Sequence, residues 1–146
     1  MRDLPRQLTV EELAELLEGR TALVERLAGC ENPLTEADRI VGELSDEQLI
    51  EALAAHPAIG ARTGLSARSA AEQGEDADPD VLIELEILNR QYEQRNGFRF
   101  VTFVNRRPKA QVLEELRERI GRPREEELRR ATRELVAIAR DRWQRT

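Results

Sequence analysis

Apolar residues recur three and four positions apart along most of this chain, the spacing that lines one face of an α-helix. Val10, Leu13, Leu16 and Leu17 share such a face behind Thr9-Val10-Glu11-Glu12, a capping box, and this helix is predicted to end at Gly19. A second helix is predicted from about Thr21 to Ala28, stopped by Gly29. Thr35 is the expected cap of a third, with Ile40 and Val41 facing inward. Ser45-Asp46-Glu47-Gln48 is a further capping box, opening a helix with Leu49, Leu53 and Ala54 inward that runs into His56-Pro57. Pro79 reads as the first residue of a long helix with Val81, Leu82, Leu85, Ile87 and Leu88, ending near Asn96-Gly97. Pro108 similarly starts a helix carrying Val112, Leu113, Leu116 and Ile120, closed by Gly121. The last runs from about Arg124 to Trp143, with Leu128, Ala131, Leu135 and Ile138 inward.

One stretch breaks the helical period. Phe98-Arg99-Phe100-Val101-Thr102-Phe103-Val104 holds all three phenylalanines of the chain. Spacing cannot separate a short strand from a buried segment here, but a strand with no partner makes no sheet. The expectation is an all-α bundle of about seven or eight helices with a buried aromatic connector, forming a single domain over residues 1–146. Residues 66–80 are polar, small and acidic, and part of this stretch reads as a mobile loop.

Composition narrows the class. The net charge of −6 argues against a general nucleic-acid binder, even with an arginine-rich C-terminal tail, whose interleaved acids suit a solvated helix face. No apolar run approaches the ~20 residues that span a bilayer, and no apolar signal core follows the N-terminus, so no membrane association is expected. A lone Cys30 excludes an internal disulfide and fits a cytoplasmic protein; with a single histidine, a metal site is not expected. Lys109 is the only lysine, which limits amine nucleophiles to that position.

The chemistry therefore turns on the lone histidine, His56. Its imidazole is the one side chain whose ordinary pKa permits proton exchange near neutrality. Pro57 disfavours helical geometry at the preceding residue, which places His56 where a helix stops. Three further clusters follow in order. Ser69-Ala70-Ala71-Glu72-Gln73 comes first, although Ser69-x-x-Glu72 also fits a capping box. Leu88-Asn89-x-x-Tyr92 then leads into Gly97-Phe98-Arg99-Phe100, with Asn89 and Tyr92 on a helical face that suits a structural role. Glu134-x-x-x-Ile138-Ala139-x-x-Arg142 comes last.

With His56-Pro57-x-Ile59-Gly60-x-Arg62 ahead of them, these motifs resemble the family of 2-oxo-4-hydroxy-4-carboxy-5-ureidoimidazoline (OHCU) decarboxylases of urate breakdown, over about residues 40–143. The resemblance implies an all-α, cofactor-independent and often homodimeric enzyme that decarboxylates its small-molecule substrate to (S)-allantoin. It implies catalysis by His56 as proton donor with Glu72. It also implies a substrate pocket lined by Pro57, Ser69, Ala70, Ala71, Glu72, Gln73, Phe100, Val101, Thr102, Phe103, Val104 and Arg142. Spacing from Ile138 favours Arg142 over Arg133 and Arg140 as the pocket arginine.

These residue types suit the reaction. An imidazolium can stabilise the charge left by departing CO₂ and deliver a proton to one face. Glu72 can hold that imidazolium charged, and Arg142 can bind a carboxylate in a fork. The chain also departs from the family pattern. Residues 1–35 lack aromatics, Ala58-Ile59 replaces Asp-Leu, and Arg99 stands where the family's Phe-Gly-Phe-Pro-Phe has proline. Two alternatives stay open: a divergent member acting on a related ureido or imidazoline compound, and a helical interaction module without activity. Convergence of His56, Glu72 and Arg142 on one pocket separates an enzyme from a module.

Overall fold

A computed structural model describes residues 3–57 and 78–145. Among these residues the chain is all α-helix and loop, with seven helices: α1 Val10–Leu17, α2 Ala22–Ala28, α3 Pro33–Glu43, α4 Asp46–Ala55, α5 Pro79–Asn96, α6 Lys109–Arg119 and α7 Arg124–Arg145. Both capping boxes form: Thr9 and Glu12 satisfy one another's backbone N–H groups at the start of α1, as Ser45 and Gln48 do for α4. Thr21 caps α2 and Asp78 caps α5, each through a side-chain oxygen that accepts a first-turn N–H.

Several boundaries and faces differ from the sequence expectation. α3 begins at Pro33 rather than after Thr35, because proline's fixed φ suits the first helical position and Asn32 is the flanking residue. Pro108 is the residue before α6, not its first. α1 stops at Leu17; Glu18, not the following glycine, takes the left-handed conformation at φ 69°. Ala54 and Ile87 face solvent; Leu49 and Leu53 on α4 and Leu85 on α5 are buried as expected, and Ala52 joins them on α4.

α1 packs on α2, α2 on α3 and α4, and α7 lies against α1, α3 and α4; α5 and α6 pair with each other. One continuous core runs through these layers, with Leu13, Leu53, Leu85 and Val112 completely buried. Leu13→Ala leaves a cavity at a fully buried site and is expected to cost about 2–5 kcal/mol, read from the urea midpoint.

The connector between α5 and α6 contains no strand. Gly97 turns the chain out of α5 at φ 78°, and Asn105 and Arg106 take positive φ before α6. Phe98 and Phe100 each meet the Tyr92 ring edge-on, at centroid distances of 5.9 and 5.3 Å. The aromatic plug read from the sequence is thus built from the connector and one face of α5.

Candidate active site

His56 is the C-cap of α4. Its φ and ψ of −84° and 134° are extended, and its N–H still donates to the Leu53 carbonyl. Pro57 enforces this break, having no N–H with which to continue the helix. The imidazole is 4 % exposed, and its Nδ1 has no hydrogen-bond partner among the described residues.

Among the described residues, two guanidinium groups and one carboxylate act on that ring. Arg142, on α7, is 1 % exposed. Its Nη1 donates to the Leu16 carbonyl at 2.9 Å and pairs with Glu18 Oε1 at 3.0 Å. Arg99 reaches His56 from the connector, donating to the residue's own backbone carbonyl. Burial, reinforced by Arg142 and then Arg99 and opposed by Glu18, pushes the His56 pKa down to about 4. The surroundings therefore hold a neutral imidazole at pH 7. The sequence left the resting charge of His56 open; here the nearest described cations outweigh the nearest described carboxylate.

The low value has a consequence for stability. The unfolded chain takes up a proton at His56 as pH falls through about 6.5, and the folded chain resists until about 4. Stability contributed by keeping the ring neutral is complete above the unfolded value and is lost as pH falls between the two, by about 3 kcal/mol in all. Urea midpoints of the wild type should fall across that window, and those of His56→Gln should fall visibly less. Parallel profiles for the two proteins would contradict the assigned burial of the ring.

Of the three C-terminal arginines weighed from the sequence, Arg142 is the one whose charge acts on His56. Arg140 instead binds the Leu34 carbonyl and Asp38 on α3, and Arg133 is exposed. Glu18 went unnoticed in the sequence. Gly19 beside it marked a helix end, and nothing local ties a carboxylate there to an arginine more than a hundred residues later. In the fold the exit of α1 passes Ala55 at the end of α4, and a Cβ placed on Gly19 would meet the Ala55 Cβ at 3.4 Å. That approach brings Glu18 beside His56.

The Phe100–Val104 segment is held from behind. Phe100, Val101 and Thr102 are buried, and Phe103 is half-buried. Arg119 donates to the Val101 carbonyl and stacks over Phe100 at 4.6 Å; Arg107 donates to the carbonyls of Phe103 and Val104. The Thr102 hydroxyl lies 2.6 Å from Glu115 and 3.1 Å from Glu134, so that side chain is occupied inside the protein. Tyr92 reads as structural here too, since its hydroxyl donates to the buried Glu127. Ser69, Ala70, Ala71, Glu72 and Gln73, with Ile59, Gly60 and Arg62, lie outside the described residues.

Among the described residues, no group of three or more His, Cys, Asp or Glu side chains is placed to hold a metal ion, and no helix is long and apolar enough to cross a membrane. A groove of about 460 Å³ between α3, α4 and α7, floored by Val41, Leu49 and Leu128, does not include His56.

The described residues thus form an all-α scaffold that buries one histidine at a helix end, beside an ion-paired arginine. The sequence profile of OHCU decarboxylase matches residues 2–144, and the chain belongs to that family of carboxy-lyases. Two solved structures share the fold. A crystal structure of OHCU decarboxylase in the presence of (S)-allantoin has a TM-score of 0.75 and 22% identity, covering 92% of this chain and 96% of that one. A crystal structure of (S)-allantoin synthase has a TM-score of 0.68 and 24% identity, covering 92% of this chain and 48% of that one, so this chain spans about half of it. None of the curated protein sequences compared matches this chain.

Proposed function

We propose that this protein decarboxylates OHCU to (S)-allantoin in urate breakdown, without a cofactor and with His56 as the proton donor. The observation that carries the proposal is the buried imidazole, with Nδ1 unpartnered among the described residues, held next to the Arg142–Glu18 pair in a member of this family. Buried polar groups are normally satisfied, so a ring nitrogen left without a partner in the scaffold suits one supplied by substrate.

A resting neutral ring and a proton-donating ring are compatible. A substrate carboxylate brings a negative charge into a site where Arg142 and Arg99 together outweigh Glu18. That charge offsets the guanidinium groups and raises the affinity of His56 for a proton. Arg142 attracts the carboxylate, and Glu18 holds Arg142 in place. As the C–CO₂ bond breaks, its electrons pass into the ring of the substrate, and the proton from His56 quenches them on one face, which fixes the configuration of the product. Glu72 completes the catalytic assignment. Pro57, the Ser69–Gln73 segment and Phe100–Val104 complete the pocket in this proposal.

Freshly generated OHCU, incubated with purified protein and followed by circular dichroism, tests the assignment. Build-up of optically active (S)-allantoin faster than the spontaneous reaction is the expected result. Racemic product at the spontaneous rate would remove the proposal. A homodimer acting in the cytoplasm completes it, and light scattering on the purified chain distinguishes one copy from two.

A further inference from the structure

Arg99 joins two parts of the molecule that are distant in sequence. It sits in the connector between the buried rings of Phe98 and Phe100, and its Nε is anchored by Glu93 of α5 at 3.1 Å. Its Nη1 reaches back to α4, donating to the Ala54 carbonyl at 3.3 Å and to the His56 carbonyl at 2.5 Å. The last carbonyls of a helix have no intrahelical donor, and Pro57 has no N–H to offer them. A guanidinium there satisfies them and also complements the negative end of the helix dipole.

Fixing the carbonyl of a residue fixes its peptide plane, and with it the direction from which the side chain leaves the backbone. We propose that Arg99 is a positioning residue for His56, clamping the end of α4 to the connector so that the imidazole and the Phe100–Val104 segment keep a fixed relation. This rests on His56 being the proton donor. The proline of the family pattern cannot donate a hydrogen bond, so the clamp belongs to this chain's own version of the site. The charged groups that act on the ring among the described residues are Arg142 from α7, Glu18 from the exit of α1, and Arg99 itself. Arg99 thus contributes both a clamp and a charge, and two substitutions separate them.

Arg99→Met removes both, whereas Arg99→Lys keeps the charge but loses the planar fork. Each is compared with wild type and His56→Gln by kcat and KM on OHCU. In the three proteins that retain His56, the imidazole is also titrated by long-range ¹H–¹⁵N NMR, which sees a single histidine. For Arg99→Met, kcat is expected to fall about tenfold with KM within about twofold, as for loss of one charge-assisted hydrogen bond, and the imidazole midpoint to rise. For Arg99→Lys, the midpoint should stay near wild type while kcat recovers only part of the loss. Wild-type kcat and imidazole shifts in Arg99→Met overturn the clamp while leaving His56 as donor, provided His56→Gln is inactive. Full activity in His56→Gln overturns both. Should Arg99→Met fail to fold, Arg99→Lys decides alone: unchanged kcat and unchanged imidazole shifts overturn the proposal.

Discussion

His56→Gln is expected to lower kcat by about two to four orders of magnitude, the range that general acid catalysis supplies. Helical circular dichroism and the urea midpoint at pH 7 should stay close to wild type. Glutamine is uncharged and polar, as the buried ring is at that pH, so the substitution removes the titrating proton without adding a charge to the interior. The helix end should survive because Pro57 and the Arg99 clamp act on the backbone of residue 56 rather than on its side chain. A variant that retained kcat within about tenfold would assign the proton to another group, since removing a general acid costs more than that.

The second large effect concerns stability. Arg119 and Glu127 are both completely buried and pair at 2.8 Å, and Glu127 also accepts from the Tyr92 hydroxyl at 2.7 Å. Burial works against the charge on Arg119, but the carboxylates of Glu127 and Glu115 hold its pKa above the ordinary value. Burial and the bond to Glu127 together push the Tyr92 hydroxyl above its usual range. Arg119→Met leaves Glu127 in the core without its cation, and also strips the Val101 carbonyl of a donor. Such a change is expected to cost about 3–5 kcal/mol, a large share of the stability of a domain this size. Replacing Arg119 and Glu127 together with apolar residues should cost much less, because no lone charge remains. Urea unfolding of the single and double variants tests this. Equal losses in the two would mean that the stranded carboxylate is not the source of the cost.

What the sequence revealed divides along physical lines. The helices were legible because their starts are written in local chemistry: Thr9 with Glu12, Ser45 with Gln48, and Pro79 behind Asp78 each satisfy helix ends within a few residues. Their faces were legible where burial follows a steady period, as for Leu13, Leu16 and Leu17. Ile87 and Ala54 were misassigned because an apolar residue on a helix need not face the core, and the sequence does not say where the neighbouring helices lie. The halt at His56-Pro57 was legible because proline acts on the residue directly before it. Glu18 and the Arg99 clamp were not, since each acquires its role from a partner brought in by folding. The charge state of His56 was hidden for the same reason. It is set by desolvation and by Arg142, Glu18 and Arg99, which converge only in three dimensions.

The bond from Arg142 to the Leu16 carbonyl spans 126 positions, and Trp143 donates to the Asp3 carbonyl across 140. The first and last helices must therefore meet before His56 has its surroundings. During synthesis, α1 to α6 emerge from the ribosome before Arg142 is available to Leu16 and Glu18. A stalled nascent chain lacking α7 should consequently be unable to turn over substrate even where its earlier helices have formed, and activity should switch on only once the final helix has cleared the exit tunnel.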